Sequence, residues 1–388
     1  MECVYLDFNA TTPLDPWVLE RMMPYLTDVY GNPSSGHGFG QDAARGIENA
    51  REAIASLIGA RSAQEIIFTS GATESDSLAI LGVADRATDR RHLVTVTTEH
   101  KAVLEPCRLL ARRGFELSVL RVDRSGMLDL DEFESTVRCD TLLVSVMAAN
   151  NEVGTLAPLR EISMICHRAG ALFHTDAAQL VGKRPLDVED LALDLMSVSG
   201  HKMYGPKGVG ALYVRRKAFA AVAPLQLGGG QERGLRSGTL NVPGCVGLGA
   251  AAALAASALR ATDNRLEALR ALFLQSLQEE VPDIEVNGHP QFRLPGTINL
   301  RFPGVDADSL QWSLPEVAIS SGSACTQGAS EPSHVLRAMG LSYDQARECV
   351  RIGIGRTTTE RDIEYAVSRI AQAVGLVREH ALLTGVVR

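Results

Sequence analysis

The sequence predicts an α/β protein built on a mainly parallel sheet, and three observations lead there. Short β-rich runs alternate with helical patterns from about residue 45 to residue 214, the signature of strand–helix–strand units. The run TLLVSVM at 141–147 is apolar almost throughout, as in a strand buried on both faces. The composition is that of an ordinary globular chain, 45% hydrophobic and 22% charged over 388 residues, long enough to bury a full core.

The elements follow in order. Strands are expected at 65–69, 92–97, 116–120, 141–147, 172–175, 195–199 and 210–214. Helices are expected at 73–84, 102–113, 130–137 and 159–169. Together they make a large three-layer α/β/α domain with a seven-stranded sheet. The composition changes at 224–244, where GGG and several turn residues read as a long loop. An Ala/Leu-rich helix follows at 247–279. The division expected is a large domain over 15–254 and a smaller α+β domain formed by 1–14 together with 255–388.

Charge and cysteine usage exclude several classes. Net charge is −8, which argues against direct nucleic-acid binding or an anionic membrane surface. Mean hydropathy is only +0.03; no apolar run reaches about 18 residues, so no membrane span is expected. The first residues lack the charged and apolar regions of a secretory signal. Seven cysteines, widely spaced and without a C-x-x-C, suit a reducing, cytoplasmic setting and provide no metal-ligand cluster. The five lysines (101, 183, 202, 207 and 217) leave few candidates for amine chemistry.

No G-x-G-x-x-G follows an expected strand, and no G-x-x-x-x-G-K-[ST] occurs, so the common nucleotide fingerprints are absent. FTSGATES instead runs from a strand through Ser70–Thr73 into a helix. Free N–H groups at a helix start make a phosphate cup; the alternative is that Ser70 or Thr73 simply caps the helix. Two later strand ends add chemistry to the same sheet edge. HTDAAQ places Asp176 after one β run, and SVSGHKMYGPKG places Lys202 after another. Ligands collect at the carboxyl ends of parallel strands. A carboxylate, a lysine and a phosphate cup at one edge suit pyridoxal 5'-phosphate, whose aldehyde a lysine amine binds and whose ring nitrogen a carboxylate keeps protonated.

SGHKMYGPKG, HTDAAQ, SGATES, TEHKAV, NNEVGT, RSGTLN and SSGSACTQGASEPSHVLR, in that company, resemble the cysteine desulfurases of the NifS/IscS type, which are fold-type I pyridoxal-phosphate enzymes. The similarity extends from LDFNATTP to VRIGIGRTTTE, almost the whole chain. It implies that Lys202 is the Schiff-base lysine, with Lys207 the local competitor, and that Asp176 partners the ring nitrogen rather than merely capping a helix. Gln179 then faces the phenolate oxygen, His100 stacks on the ring and moves protons, and Asn151 contacts cofactor and substrate. Ala72, Thr73, Ser199 and His201 hold the phosphate, and Thr239 reaches the phosphate of the other subunit of a homodimer. Arg351 clamps the substrate carboxylate, for which a guanidinium is suited; Arg356 is its competitor.

Cys325 is the expected nucleophile. It sits among small residues in a loop at about 319–333, whereas a packed cysteine such as Cys166 lies in an apolar segment. The implied reaction converts L-cysteine to L-alanine and leaves a persulfide on Cys325. That sulfur would pass to an acceptor or scaffold protein, for iron–sulfur cluster assembly or for RNA or DNA thio-modification. The alternative is another enzyme of the same fold, an aminotransferase or selenocysteine lyase.

Overall fold

The computed structural model describes residues 3–321 and 331–384. Among them the strands are β1 (Val4–Tyr5), β2 (Ile66–Thr69), β3 (His92–Val96), β4 (Glu116–Leu120), β5 (Thr141–Ser145), β6 (Leu172–Asp176), β7 (Leu195–Ser199), β8 (Gly210–Val214), β9 (Glu285–Asn287), β10 (Thr297–Arg301), β11 (Val317–Ala318), β12 (Ser320–Ser321) and β13 (Cys349–Gly353). Seven form one sheet in the order β2-β8-β7-β6-β5-β3-β4. β3 to β7 pair in parallel, and β8 runs antiparallel between β2 and β7. The strands and helices expected between 65 and 214 thus appear within one or two residues of their predicted ends. β2, β3, β7 and β8 are buried at every position, so both sheet faces are covered, as parallel strands require.

A second sheet, β12-β13-β10-β9, and the short pair β1-β11 belong to a second core. Leu6, Phe273, Ile298, Leu300, Val350 and Ile352 are all but fully buried in it. The first residues of the chain join this body, because Val4 and Tyr5 pair in parallel with Val317 and Ala318. The chain then crosses to the large body, where the Thr12 N–H donates to the His201 carbonyl at 2.9 Å.

The helix Val242–Glu280 is longer than expected and serves both bodies. Residues Val242 to Ala252 pack in the first core, and Leu266 to Leu277 in the second. The 254/255 boundary therefore falls inside a continuous helix. By length and composition the helix could cross a membrane, which amends the reading that no stretch is apolar enough. Its apolar first half instead packs on the helix Gly38–Ile58, which sequence patterning did not single out. A Cβ added at Gly249 would lie 2.3 Å from the Ala50 Cα, so glycine is what lets the two backbones approach.

One buried ion pair ties this layer to the loop before the long helix. Arg51 donates to Glu232 through two nitrogens, at 2.7 and 2.8 Å, and the Phe68 N–H donates to the same carboxylate at 2.6 Å. Truncating one partner leaves a buried charge uncompensated, at a cost of about 3–5 kcal/mol. Glu232→Ala is therefore expected to lower the thermal unfolding midpoint markedly. An unchanged midpoint would contradict the structural weight given to the pair.

Candidate active site

The carboxyl ends of β6 and β7, the start of the helix Ala72–Asp85 and the N-terminal crossing segment enclose one cavity of about 570 Å³, a size suited to a small ligand. Of the expected site residues, Ala72, Thr73, His100, Asn151, Asp176, Gln179, Ser199, His201, Lys202 and Arg351 all line it. Thr239 does not; it is exposed, in the segment between β8 and the long helix. Cys325 lies outside the described residues. Lys207, the competing lysine, also lines the cavity, so proximity alone does not separate it from Lys202.

Lys202 is set at the end of β7 by a short 3-10 turn, Gly200–Lys202. Its Nζ donates to the carbonyls of Asn9 and Ala10 at 2.6 and 2.7 Å. Sequence reading missed these partners: they lie 193 and 192 residues away, and carbonyl acceptors leave no side-chain motif. Asp176 ends β6. Its Oδ1 accepts from the Ala178 N–H at 2.9 Å. Burial pushes its carboxyl upward, while the Ala178 N–H, His100 and Lys202 pull the other way.

Among the described residues neither Ser70 nor Thr73 caps the helix that follows the cup. The helix Ala72–Asp85 begins after Gly71 (φ +153°) with no side-chain cap hydrogen bond. Its first turn, at Ala72 and Thr73, lines the cavity without a side-chain cap among the described residues. Ser199 and His201 line the same space. Burial, then Lys202 and Lys207, push the His201 imidazole down to about 4, so it is neutral at pH 7. Glu74, also on the wall, is drawn off by Arg236 at 2.9 Å and by the Ser70 N–H at 2.8 Å.

His100 caps the helix Lys101–Arg112. Its Nδ1 accepts from the Ala102 N–H at 3.1 Å, which leaves the proton of the neutral ring on Nε2. Burial lowers its pKa, with Asp176 opposing. Arg351, on β13, is buried and pairs with Asp7 at 2.9 Å; it also donates to the Asn151 carbonyl at 3.2 Å. Among the described residues its Nε has no hydrogen-bond partner, so there part of the guanidinium is unspent. Arg356 is engaged elsewhere, with Asp15 and over the Tyr204 ring at 4.1 Å.

Three acidic groups escaped sequence reading. Asp76 lies one turn into the cup helix, fully buried, with no hydrogen bond to either oxygen within 3.5 Å among the described residues and the His174 Nε2 at 3.6 Å. Burial, then Asp176, push its carboxyl well up, toward its neutral form, with Ser197 opposing. Glu99 is likewise buried and raised, although the Met147 N–H donates to it at 2.5 Å. Glu152 accepts from Ser333, the cap of the helix His334–Ala338. Nothing in the spacing of these residues marked them, because their neighbours come from other segments.

The chain belongs to the class-V aminotransferase family, whose model matches residues 4–366. Within that family it falls among the cysteine desulfurases. The human protein named cysteine desulfurase is 51% identical over 378 residues, covering 97% of this chain and 82% of the human one. A solved NifS-like protein superposes with a TM-score of 0.90 at 38% identity, over 96% of this chain and 100% of its own. The structure described as SspA in complex with cysteine gives 0.79 at 38% identity, over 90% of this chain and 98% of that one.

Glu152 yields a pH prediction. Burial raises its carboxyl from 4.5 to about 7, against Ser333 and Arg351. A raised folded-state pKa contributes stability that is full below the unfolded value and is lost as pH rises through the folded one. Wild type should therefore lose up to about 3 kcal/mol relative to Glu152→Gln between pH 4.5 and 8. Urea unfolding of both proteins across that range checks it; parallel pH profiles would refute the assignment.

Proposed function

We propose that this enzyme removes the sulfur of L-cysteine with pyridoxal 5'-phosphate bound on Lys202, releasing L-alanine and leaving a persulfide on Cys325. The observation that carries the reading is the convergence on one cavity of an amine, a buried carboxylate, an uncapped helix start and a guanidinium with an unspent nitrogen. These are the four recognition needs of that coenzyme and an amino acid together. Asp176 lacks a full cationic partner, as suits a protonated ring nitrogen. The helix start, Thr73, Ser199 and His201 suit the phosphate, and Gln179 and His100 on the same wall would contact the ring.

Bound there, the coenzyme supplies an electron sink for the carbon next to the substrate amine. The protein's own groups do the rest. Arg351 grips the substrate carboxylate, with Asn151 beside it, and so fixes which bond of the α-carbon faces Lys202. The Lys202 amine, freed from its carbonyl acceptors, takes the α-proton and returns it to carbon. His100, neutral with its proton on Nε2, is a second proton carrier. The Cys325 thiolate attacks the substrate sulfur: a sulfur–sulfur bond forms, the carbon–sulfur bond breaks, and its electron pair ends in a C–H bond of alanine. No external oxidant is needed. Cys325 takes this role from its sequence setting.

The persulfide sulfur then passes to an acceptor or scaffold protein in the cytoplasm, for iron–sulfur clusters or thio-modified nucleic acid. A homodimer is supported by the segment that carries Thr239. Arg236 anchors it to Glu74 on the cavity wall and bridges to Gln226, between exposed Leu225 and Leu227, yet Thr239 itself is exposed off the cavity.

Incubation with L-cysteine and a thiol reductant is expected to give alanine and sulfide in equal amounts. Cys325→Ser should lower sulfide release at least ~10²-fold while retaining the coenzyme's colour. Keto-acid formation in place of alanine, or full sulfide release by the variant, would overturn the reading.

A further inference from the structure

Lys183 is a lysine for which the reaction above has no use. It does not line the cavity. Among the described residues it has no carboxylate partner; its Nζ donates to one group, the side-chain oxygen of Gln179, at 2.6 Å. A lysine held on a neutral amide in a partly buried setting gains little stability for its desolvation, so its effect on the amide is the place to look for its use.

That effect follows from donor chemistry. An ammonium has three donors and no acceptor, so the end of the Gln179 amide facing it must be the oxygen. The nitrogen end is thereby turned the other way, where Nε2 donates to the Asn9 carbonyl at 2.9 Å. The Asn9 carbonyl is also an acceptor of the Lys202 amine, at 2.6 Å. A relay of three hydrogen bonds therefore runs from Lys183 through Gln179 and the Asn9 carbonyl to Lys202. One N–H of the Gln179 amide is spent on Asn9. The other is left for an acceptor in the cavity that Gln179 lines.

We propose that Lys183 is a positioning residue: its ammonium fixes Gln179 with its N–H end toward the bound coenzyme and adds positive charge on the Lys202 side of the cavity. The inference rests on the reading that Lys202 carries pyridoxal 5'-phosphate. The charged and titratable groups that share the cavity with Lys202 are Asp176 on β6, Glu74 and Asp76 on the cup helix, His100 at the start of its helix, His201 on its own turn, Lys207 just beyond that turn, and Arg351 on β13 with Asp7 behind it, to which Lys183 adds from outside the cavity. Burial, then Lys202 and Arg351, push the Lys183 ammonium down to about 7, so its charge acts in full only below that pH, while the amine still donates to the Gln179 oxygen above it. The same repulsion acts in reverse on Lys202, favouring its unprotonated nitrogen. A fixed N–H donor facing the ring's phenolate oxygen acts in the same direction, because it stabilises the anionic oxygen that otherwise holds the proton.

The test is an absorption titration of the coenzyme-loaded enzyme, which reads the protonation of the nitrogen joined to the coenzyme and does not depend on turnover. Lys183→Met removes both charge and donor, and the pH midpoint of the long-wavelength band should rise by about half a unit or more. Lys183→Gln keeps a donor for the Gln179 oxygen and loses only the charge; a smaller rise is expected, and this variant answers the question if Lys183→Met does not fold. Lys183→Arg keeps both and should titrate like wild type. A midpoint that is unchanged or lower in the folded neutral variants would overturn the proposal. Failure of wild type to show any titrating coenzyme band would instead overturn the reading on which it rests.

Discussion

The site depends on a short stretch of chain, residues 7–12, that bridges the two bodies. Asp7 pairs with Arg351 on β13, and the Phe8 N–H donates to the Gly353 carbonyl at 3.3 Å. Two residues on, the carbonyls of Asn9 and Ala10 hold the Lys202 amine, and Thr12 is bonded to the His201 carbonyl. The group that would grip a substrate carboxylate and the amine that would move its proton are thus set by one rigid peptide. A lysine carries considerable rotamer entropy; two carbonyl acceptors confine it without neutralising it, so the nitrogen remains available for chemistry.

The electrostatics follow from that placement. Lys202, Lys207 and Arg351 bring positive charge to the cavity, and Lys183 adds to it from behind. The acids beside them are handled in different ways. Glu74 is held by Arg236 and Asp7 by Arg351, while burial pushes the carboxyls of Asp76 and Glu99 upward, toward their neutral forms. His174 beneath the floor is neutral, its ring held between the hydroxyls of Ser145 and Ser197 at 2.8 and 3.0 Å. Positive charge is therefore left in excess, as befits a ligand carrying a phosphate and a carboxylate. Asp176 is the acid set where a cationic ring nitrogen would stabilise its ionised form.

Much of the fold was legible because parallel strands buried on both faces write continuous apolar runs, and TLLVSVM is the clearest of them. Lys202, Asp176 and the cup were legible because strand ends carry their chemistry in contiguous motifs. Contacts between distant segments were not. Nothing near Asn9 signals that its carbonyl meets Lys202, and nothing near Lys183 signals Gln179 beyond a spacing of four residues in a non-helical stretch. The continuity of the helix across the expected 254/255 division was hidden for a related reason. The Ala/Leu composition of the helix Val242–Glu280 hardly changes as it passes from one core to the other. Thr239 is a different case: its expected partner is another chain, so no reading of one chain brings it to a site.

The central claim is that the amine at 202, and not its neighbour at 207 or the half-buried one at 183, is where the coenzyme is held. Borohydride reduction of the loaded enzyme fixes the coenzyme to its lysine, and peptide mass mapping then locates it. The account predicts the label on the peptide containing Lys202 alone. Label on Lys207 or Lys183, with Lys202 unmodified, would contradict it.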